Sequence, residues 1–455
     1  MENKLERKYG LFTAICMVAG IVIGSGVFFK AQTILQLTGG DMPLGIIAWI
    51  IGGAIMMVSL LTFSFMGQKY EKVNGVVDYA EATVGKRYGY LMGWFVSIIY
   101  FPSMAAVLCW LTARYTLEFL VSVNPNLPLV GNCATGPECL ALSGFYMLLA
   151  FAVNALSPKL AGKLQTSTTI IKLIPLGLMA VVGIIYGLST GMLTENFQTK
   201  ATVEATHGNP LFAAVCSTAF AYEGWIIATS INAEIKDSKK NLPRALIIGG
   251  IIIAAVYISY YVGVAGGATN QQLIDVGAPV AFTNIFGNAL GNVLNLFIAI
   301  SCFGTTNGLM LATCRGMYSM AARGEGPKPA FFGRLNHKTN MPTASSLVGL
   351  CLIIVWFAYF YLANLAKAWA GPFVFDSSEL PIITVYMMYL PILIQWMRKE
   401  KEQPIHRRLI LPALSICGCL FMIVASIVSH GIGCVWYLIV FAVMMALGIL
   451  LNHRK

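Results

Sequence analysis

Long apolar runs separated by short polar loops dominate this sequence. A helix needs about 20 apolar residues to cross the hydrocarbon of a bilayer. Twelve runs come close to or exceed that length, at 11–37, 43–66, 88–121, 141–158, 163–188, 210–232, 243–266, 288–322, 343–362, 377–397, 409–429 and 433–452. Backbone polar groups in lipid must be bonded within the segment, so such runs are helices. The pattern predicts an all-α integral membrane protein with twelve transmembrane helices, numbered here as spans 1 to 12.

The polar positions between the runs test that count. Lys4, Arg7 and Lys8 precede span 1. Lys69, Lys72, Lys86 and Arg87 lie between spans 2 and 3, and Lys159 and Lys163 between spans 4 and 5. Lys236, Lys239, Lys240 and Arg244 lie between spans 6 and 7, and Arg323, Lys328, Arg334 and Lys338 between spans 8 and 9. Arg398, Lys399, Lys401, Arg407 and Arg408 follow span 10, and Arg454 and Lys455 end the chain. These alternate loops hold 24 of the 30 lysines and arginines, whereas the other side holds Lys200 and Lys367. Excess Lys and Arg marks the cytoplasmic face, so both termini are expected there, in a cell membrane. No small-residue cleavage site follows the first run, so span 1 is expected to remain in the mature protein.

Two spans have centres unlike a continuous helix. Span 1 carries Gly24-Ser25-Gly26 at mid-membrane. Span 6 carries Ala219-Phe-Ala-Tyr-Glu-Gly-Trp225 near its middle. The two lie five spans apart, an odd number, so spans 1–5 and 6–10 would run in opposite senses. This predicts a single transporter domain over 1–455, with one repeat at 10–188, an inverted second at 210–397, and two added helices at 409–452. Interrupted helices at matching places in two halves mark a transporter's binding site. Unwinding frees the N–H groups of Ser25, Gly26 and Val27 at the positive end of a half-helix, where they suit a carboxylate. The freed carbonyls of Val22 and of Phe220, Ala221 and Glu223 suit an ammonium. Together they would read the backbone of a free amino acid. The competing reading is that Gly20, Gly24 and Gly26 only let helices pack closely.

Composition agrees with this picture. Hydrophobic residues make up 57% and charged residues 11% of the 455, against about a quarter charged in soluble domains. The +11 net charge sits in short loops, so it reports topology and not a nucleic-acid partner. The eleven cysteines follow no metal spacing; Cys16, Cys109, Cys216 and Cys314 lie in apolar runs as packing residues. Cys133 and Cys139 share the outer loop between spans 3 and 4, where a disulfide is open to them. No zinc motif, nucleophile elbow or phosphate loop is present, so no enzyme, metal or cofactor is expected.

Several stretches resemble a known family. Gly-Ser-Gly-Val-Phe in span 1, Phe-Ala-Tyr-Glu-Gly-Trp in span 6 and Asn241-Leu-Pro-Arg-Ala resemble the amino acid–polyamine–organocation superfamily. Val153-Asn154, Lys172-Leu173, Ser301-Cys-Phe-Gly-Thr-Thr-Asn-Gly308 and Ala322-Arg-Gly-Glu-Gly-Pro327 after Arg315 look like its L-type amino acid transporter (LAT) family. Gln403-Pro-Ile405 and Leu411-Pro412 fit as well. The resemblance runs from about residue 10 to 450, and the short termini look bacterial. It implies a LeuT-type fold of 5+5 inverted repeats with broken helices 1 and 6. It also implies sodium-independent exchange of L-amino acids (antiport) by alternating access. Ser25 and Gly26 then match the carboxylate binders, and the carbonyls of Val22, Phe220 and Glu223 the amine acceptors. Phe220 also matches the aromatic that closes over the substrate. Lys172 matches a span-5 lysine that links span 5 to the unwound part of span 1. Some relatives attach a heavy-chain subunit through the outer loop; none is expected here.

Lys172, charged and inside a span, is a functional candidate by default. We expect it to stand where sodium-driven relatives hold a cation. Glu223 has three readings: it sets helix geometry, it pairs with a cationic side chain, or it carries a coupled proton. The last would make the protein a proton-coupled symporter for amino acids or polyamines, the main rival to exchange. Tyr222, Trp225, Ile226, Thr306 and Asn307 are candidate pocket-lining residues, although aromatics and amides in spans also serve packing. Arg114 and Glu118, four apart, are expected to pair structurally.

Overall fold

The computed structural model describes 10–70, 75–201, 209–225, 235–369 and 371–452. Ile226 and Glu234, the basic residues Lys4, Arg7, Lys8, Lys72, Arg454 and Lys455, and the later part of span 6 lie outside the described residues. Among those described, ten helices are long and apolar enough to cross a membrane. They are Met42–Lys69, Lys86–Val123, Pro137–Leu156, Leu160–Thr190, Lys240–Ala265, Ala278–Ala321, Thr343–Leu365, Leu380–Lys399, His406–His430 and Ile432–Leu450. These correspond to spans 2–5 and 7–12. Spans 1 and 6 are not continuous membrane-length helices. Span 1 divides into Leu11–Val22 and Gly26–Leu37, and the first part of span 6 is Pro210–Tyr222. Glycine-rich backbone explains both stops, since it costs little to leave the helical conformation there.

Other interruptions have local causes. The proline at position 102 has no N–H to give the Ile98 carbonyl. The chain widens into a π turn over Val96–Tyr100, and Trp356 Nε1 bonds the Ile98 carbonyl instead at 3.0 Å. In Ala278–Ala321 the helix kinks at Gly287, whose φ of 73° favours glycine. The apolar run read from 288 therefore begins just past this kink.

The chain folds into two compact units. The first comprises Met1–Met92, Thr199–Tyr261 and Ile382–Ser429; the second comprises Gly93–Gln198, Val262–Pro381 and His430–Lys455. Each unit draws on both sequence halves, so neither half-chain folds apart from the other. In the first unit, Pro210–Tyr222 packs on Gly26–Leu37 and on Met42–Lys69. Gly52 and Gly53 make room there for Thr218 and Tyr222. At its polar margin Lys69 and Tyr70 both bind the Glu400 carboxylate.

In the second unit, Ala278–Ala321 packs against Phe101–Val123, Pro158–Leu178 and Thr343–Tyr359. Gly183 and Gly187 meet Gly263 and Gly266 backbone to backbone, where any Cβ would strike main chain; small residues at helix spacing allow this approach. The apolar stretch of Lys86–Val123 is 89% buried but that of Ile432–Leu450 22%, so the former is core and the latter largely exposed. Ile170, Leu173, Ile174, Val181, Ile185 and Leu188 of span 5 are exposed, an apolar stripe suited to hydrocarbon. Arg114 and Glu118 pair at 2.7 Å, as their spacing implies. Cys133 and Cys139 are free thiols.

Candidate functional site

The break in span 1 forms where Ile23 turns extended, with ψ of 100°. Ser25 then heads the second half-helix, and Phe29 N–H returns to its carbonyl at 3.2 Å. The first N–H groups of any helix lack intrahelical acceptors; here they belong to Ser25, Gly26 and Val27. All three residues are buried. The Ser25 hydroxyl, in a residue 1% exposed, has no hydrogen-bond partner among the described residues. A buried polar atom left in this way calls for an explanation, and an absent ligand is one.

Span 6 breaks directly opposite. Its first half ends at Tyr222, Glu223 is extended with ψ of 163°, and Gly224 takes φ of 99°, a conformation that favours glycine. The two breaks touch through backbone. A Cβ on Gly26 would lie 2.7 Å from Ala221 Cα and 3.1 Å from the Phe220 carbonyl oxygen. Gly26 is thus required by close approach, whatever its role toward a ligand, and the packing and binding readings of this glycine coexist.

Tyr257, in the helix Ser238–Ala265, ties the breaks together. Its hydroxyl lies 2.9 Å from the Val22 carbonyl and 3.0 Å from the Ala221 carbonyl. These are two of the carbonyls expected to accept a substrate amine. Each carbonyl oxygen has two lone pairs, so one contact leaves room for another.

The remaining span-6 candidates divide. Tyr222 turns away from the break: its hydroxyl donates to the Trp49 carbonyl at 3.0 Å, and its ring lies 5.2 Å from that of Tyr257. Trp225 is fully buried against Phe63 and Tyr389, with its indole N–H unpartnered among the described residues. Both Glu223 carboxylate oxygens are out of solvent, and Tyr386 and Tyr389 of span 10 are electrostatic neighbours of this group. Phe220 is half-buried, with its ring 6.1 Å from that of Phe29.

Three candidates belong to the second unit. Lys172 is 4% exposed within Pro158–Leu178. Thr306 bonds the Cys302 carbonyl and faces Thr112 at 3.3 Å. Asn307 accepts from Asn154 at 2.8 Å and donates to the Ala161 carbonyl at 3.1 Å. Thr306 and Asn307 are therefore engaged in bridging helices. No group of three or more metal-ligating side chains occurs among the described residues.

Sequence reasoning passed over two residues at the breaks. Lys30 was visible: it is a charge inside an apolar span, the signal that singled out Lys172. It is 2% exposed, with its ammonium 5.3 Å from the centroid of the Phe220 ring. Tyr257 gave no signal, because nothing distinguishes it in sequence from Tyr260 and Tyr261 beside it.

Membrane-length helices, together with two shorter ones whose broken ends meet, have the build of a multi-pass membrane transporter. The amino acid permease family matches residues 9–450, and the chain belongs to it. It is 28% identical to the serine/threonine exchanger SteT of Bacillus subtilis (strain 168) over 451 residues, 95% of this chain and 94% of that one. It is 26% identical to the Asc-type amino acid transporter 1 of Mus musculus over 444 residues, 94% of this chain and 78% of that one. It is also 26% identical to the large neutral amino acids transporter small subunit 2 of Homo sapiens over 442 residues, 94% and 77% of the two chains. The relatives are transporters and not enzymes, in agreement with the likeness in the motifs of spans 1, 6 and 8.

Proposed function

We propose that the protein exchanges amino acids across a cell membrane by alternating access, without sodium. The observation that carries this reading is the buried Ser25 hydroxyl, without a hydrogen-bond partner among the described residues, at the head of a half-helix inside a span. The substrate carboxylate rests on Ser25, Gly26 and Val27. Its ammonium reaches the carbonyls of Val22, Phe220, Ala221 and Glu223, and Phe220 closes over it. The stops at Ile23 and at Glu223-Gly224 are the joints about which the half-helices swing. A serine/threonine exchanger among the relatives supports exchange as the mode and small amino acids as the cargo. Lys172 supplies a fixed positive charge inside the membrane, so no sodium is required.

In the same proposal the chain crosses the membrane twelve times with its five-span repeats inverted. Both termini are cytoplasmic, and it works without a heavy-chain subunit. Glu223, beside Tyr386 and Tyr389, sets the geometry of the span-6 break.

The test is uptake of labelled alanine into sodium-free proteoliposomes. Uptake is expected only when unlabelled serine or alanine is inside. One observation favours a second reading: the solvent-shielded carboxylate of Glu223 at the break is suited to carry a proton. If empty vesicles fill and uptake follows an imposed pH gradient, the protein is a proton-coupled symporter and Glu223 its proton site.

A further inference from the structure

Lys30 lies four residues beyond Gly26 on the half-helix Gly26–Leu37. Residues four apart share a helix face, about 6 Å further along the axis. The Gly26 face meets Ala221 and Phe220 of span 6, and Lys30 continues it. Its ammonium lies 5.0 Å from the Phe29 ring centroid and 5.3 Å from that of Phe220, so the cation sits against the aromatic that is to close over the substrate. The side chain is 2% exposed, so water does little to screen its charge. Bringing an amino acid's backbone to Ser25 and Gly26 brings its side chain within one or two helical turns of this cation.

We propose that Lys30 sets the charge selectivity of the site, favouring substrates whose side chains are anionic or neutral and repelling those with an ammonium or guanidinium. This rests on the reading of the span-1 break as the carboxylate site. A cation and a substrate charge separated by a turn or so of helix, in a region of low dielectric, interact strongly enough to shift relative affinity by roughly tenfold or more. The cation–π contacts with Phe29 and Phe220 hold the ammonium in place, so the discrimination is built into the closed site. Glu223 is an electrostatic neighbour of Tyr386 and Tyr389, and an ionised carboxylate there would oppose the charge of Lys30. A site ruled by Glu223 would prefer arginine, and the two assignments therefore predict opposite rankings.

The experiment measures how well external aspartate, alanine and arginine each inhibit exchange of labelled alanine in proteoliposomes. Wild type is compared with Lys30→Met, which keeps most of the volume without the charge, and with Lys30→Arg, which keeps the charge. In wild type, arginine is expected to inhibit at least tenfold more weakly than aspartate. Lys30→Met should reduce that ratio at least tenfold, and Lys30→Arg should preserve it. Where Lys30→Met no longer transports, ligand-induced thermal shifts of the detergent-solubilised variant with the same three amino acids give the ranking instead. Wild type that takes arginine as readily as aspartate overturns the proposal. So does a Lys30→Met variant that changes all three by the same factor, which would make Lys30 a latch between two helices. If wild type neither takes up labelled alanine nor gives a thermal shift with any of the three amino acids, the carboxylate site itself is refuted, and the charge rule falls with it.

Discussion

At the level of single residues, the break geometry assigns unequal weights. Ser25→Ala removes a buried hydroxyl that has no hydrogen-bond partner among the described residues, so the fold should lose little while substrate binding weakens. The expected result is an unchanged melting temperature and an alanine KM raised about tenfold, the scale of one lost hydrogen bond to a charged group. Tyr257→Phe should act in the opposite sense. It leaves the carbonyls of Val22 and Ala221 without their shared donor, a cost of about 1–3 kcal/mol for buried groups. Thermal unfolding should show that loss, together with slower exchange. The glycine–serine–glycine run announced the first break because it cannot be a comfortable helix centre. Tyr257 could not be found the same way, since its role depends on which helix face meets the breaks, and that rotation is set by packing across the unit.

Among whole elements, the apolar runs placed ten membrane-length helices to within about four residues, except that Ala278–Ala321 begins ten residues before the run at 288, because span length is a property of the bilayer and not of tertiary contacts. Kinks were harder to read. Gly287 lies at the edge of an apolar run, and its left-handed backbone is a product of local packing. Close approach between helices also leaves a testable mark. Gly263→Leu would drive a side chain into the Met179 carbonyl, and such overpacking typically costs about 1–3 kcal/mol. A lower melting temperature and less protein in the membrane are expected, with the alanine KM of the surviving molecules unchanged. At the start of Met42–Lys69, Asp41 accepts the Leu44 N–H at 2.9 Å and pairs with Lys200 at 2.7 Å. Burial pulls its carboxyl upward, but the Lys200 and Leu44 bonds and the Lys200 charge outweigh this and hold it below the usual carboxylate value. Such a group stabilises the fold above its unfolded value of about 3.9 and loses that contribution as pH falls through the lower folded value. Asp41→Ala should cost about 1 kcal/mol of helix capping at neutral pH. The melting temperatures of variant and wild type should converge below about pH 4.

The whole molecule divides into two units, each assembled from both halves of the sequence. A linear reading sees the repeats as successive blocks and has no access to this interleaving. It found Lys172 but could not place it, because burial at 4% exposure is a property of the folded helices around it. If that lysine stands in for a metal cation, Lys172→Ala should abolish sodium-free exchange while leaving the protein in the membrane at normal abundance. Measuring alanine counterflow with and without added sodium checks this, and unchanged counterflow in the variant would remove Lys172 from the coupling machinery.

The Tyr257 hydroxyl spans two carbonyls but owns a single hydrogen. Whichever way it turns, it serves one of these oxygens at a time, and the other keeps a lone pair open to a second donor. An arriving ammonium brings three. On the proposed binding mode, a loaded carrier would satisfy both oxygens at once, where a vacant one has the single tyrosine hydrogen to share between them. Under that proposal the carrier would cross between its two faces more readily full than empty, which would make swapping one amino acid for another its natural cycle.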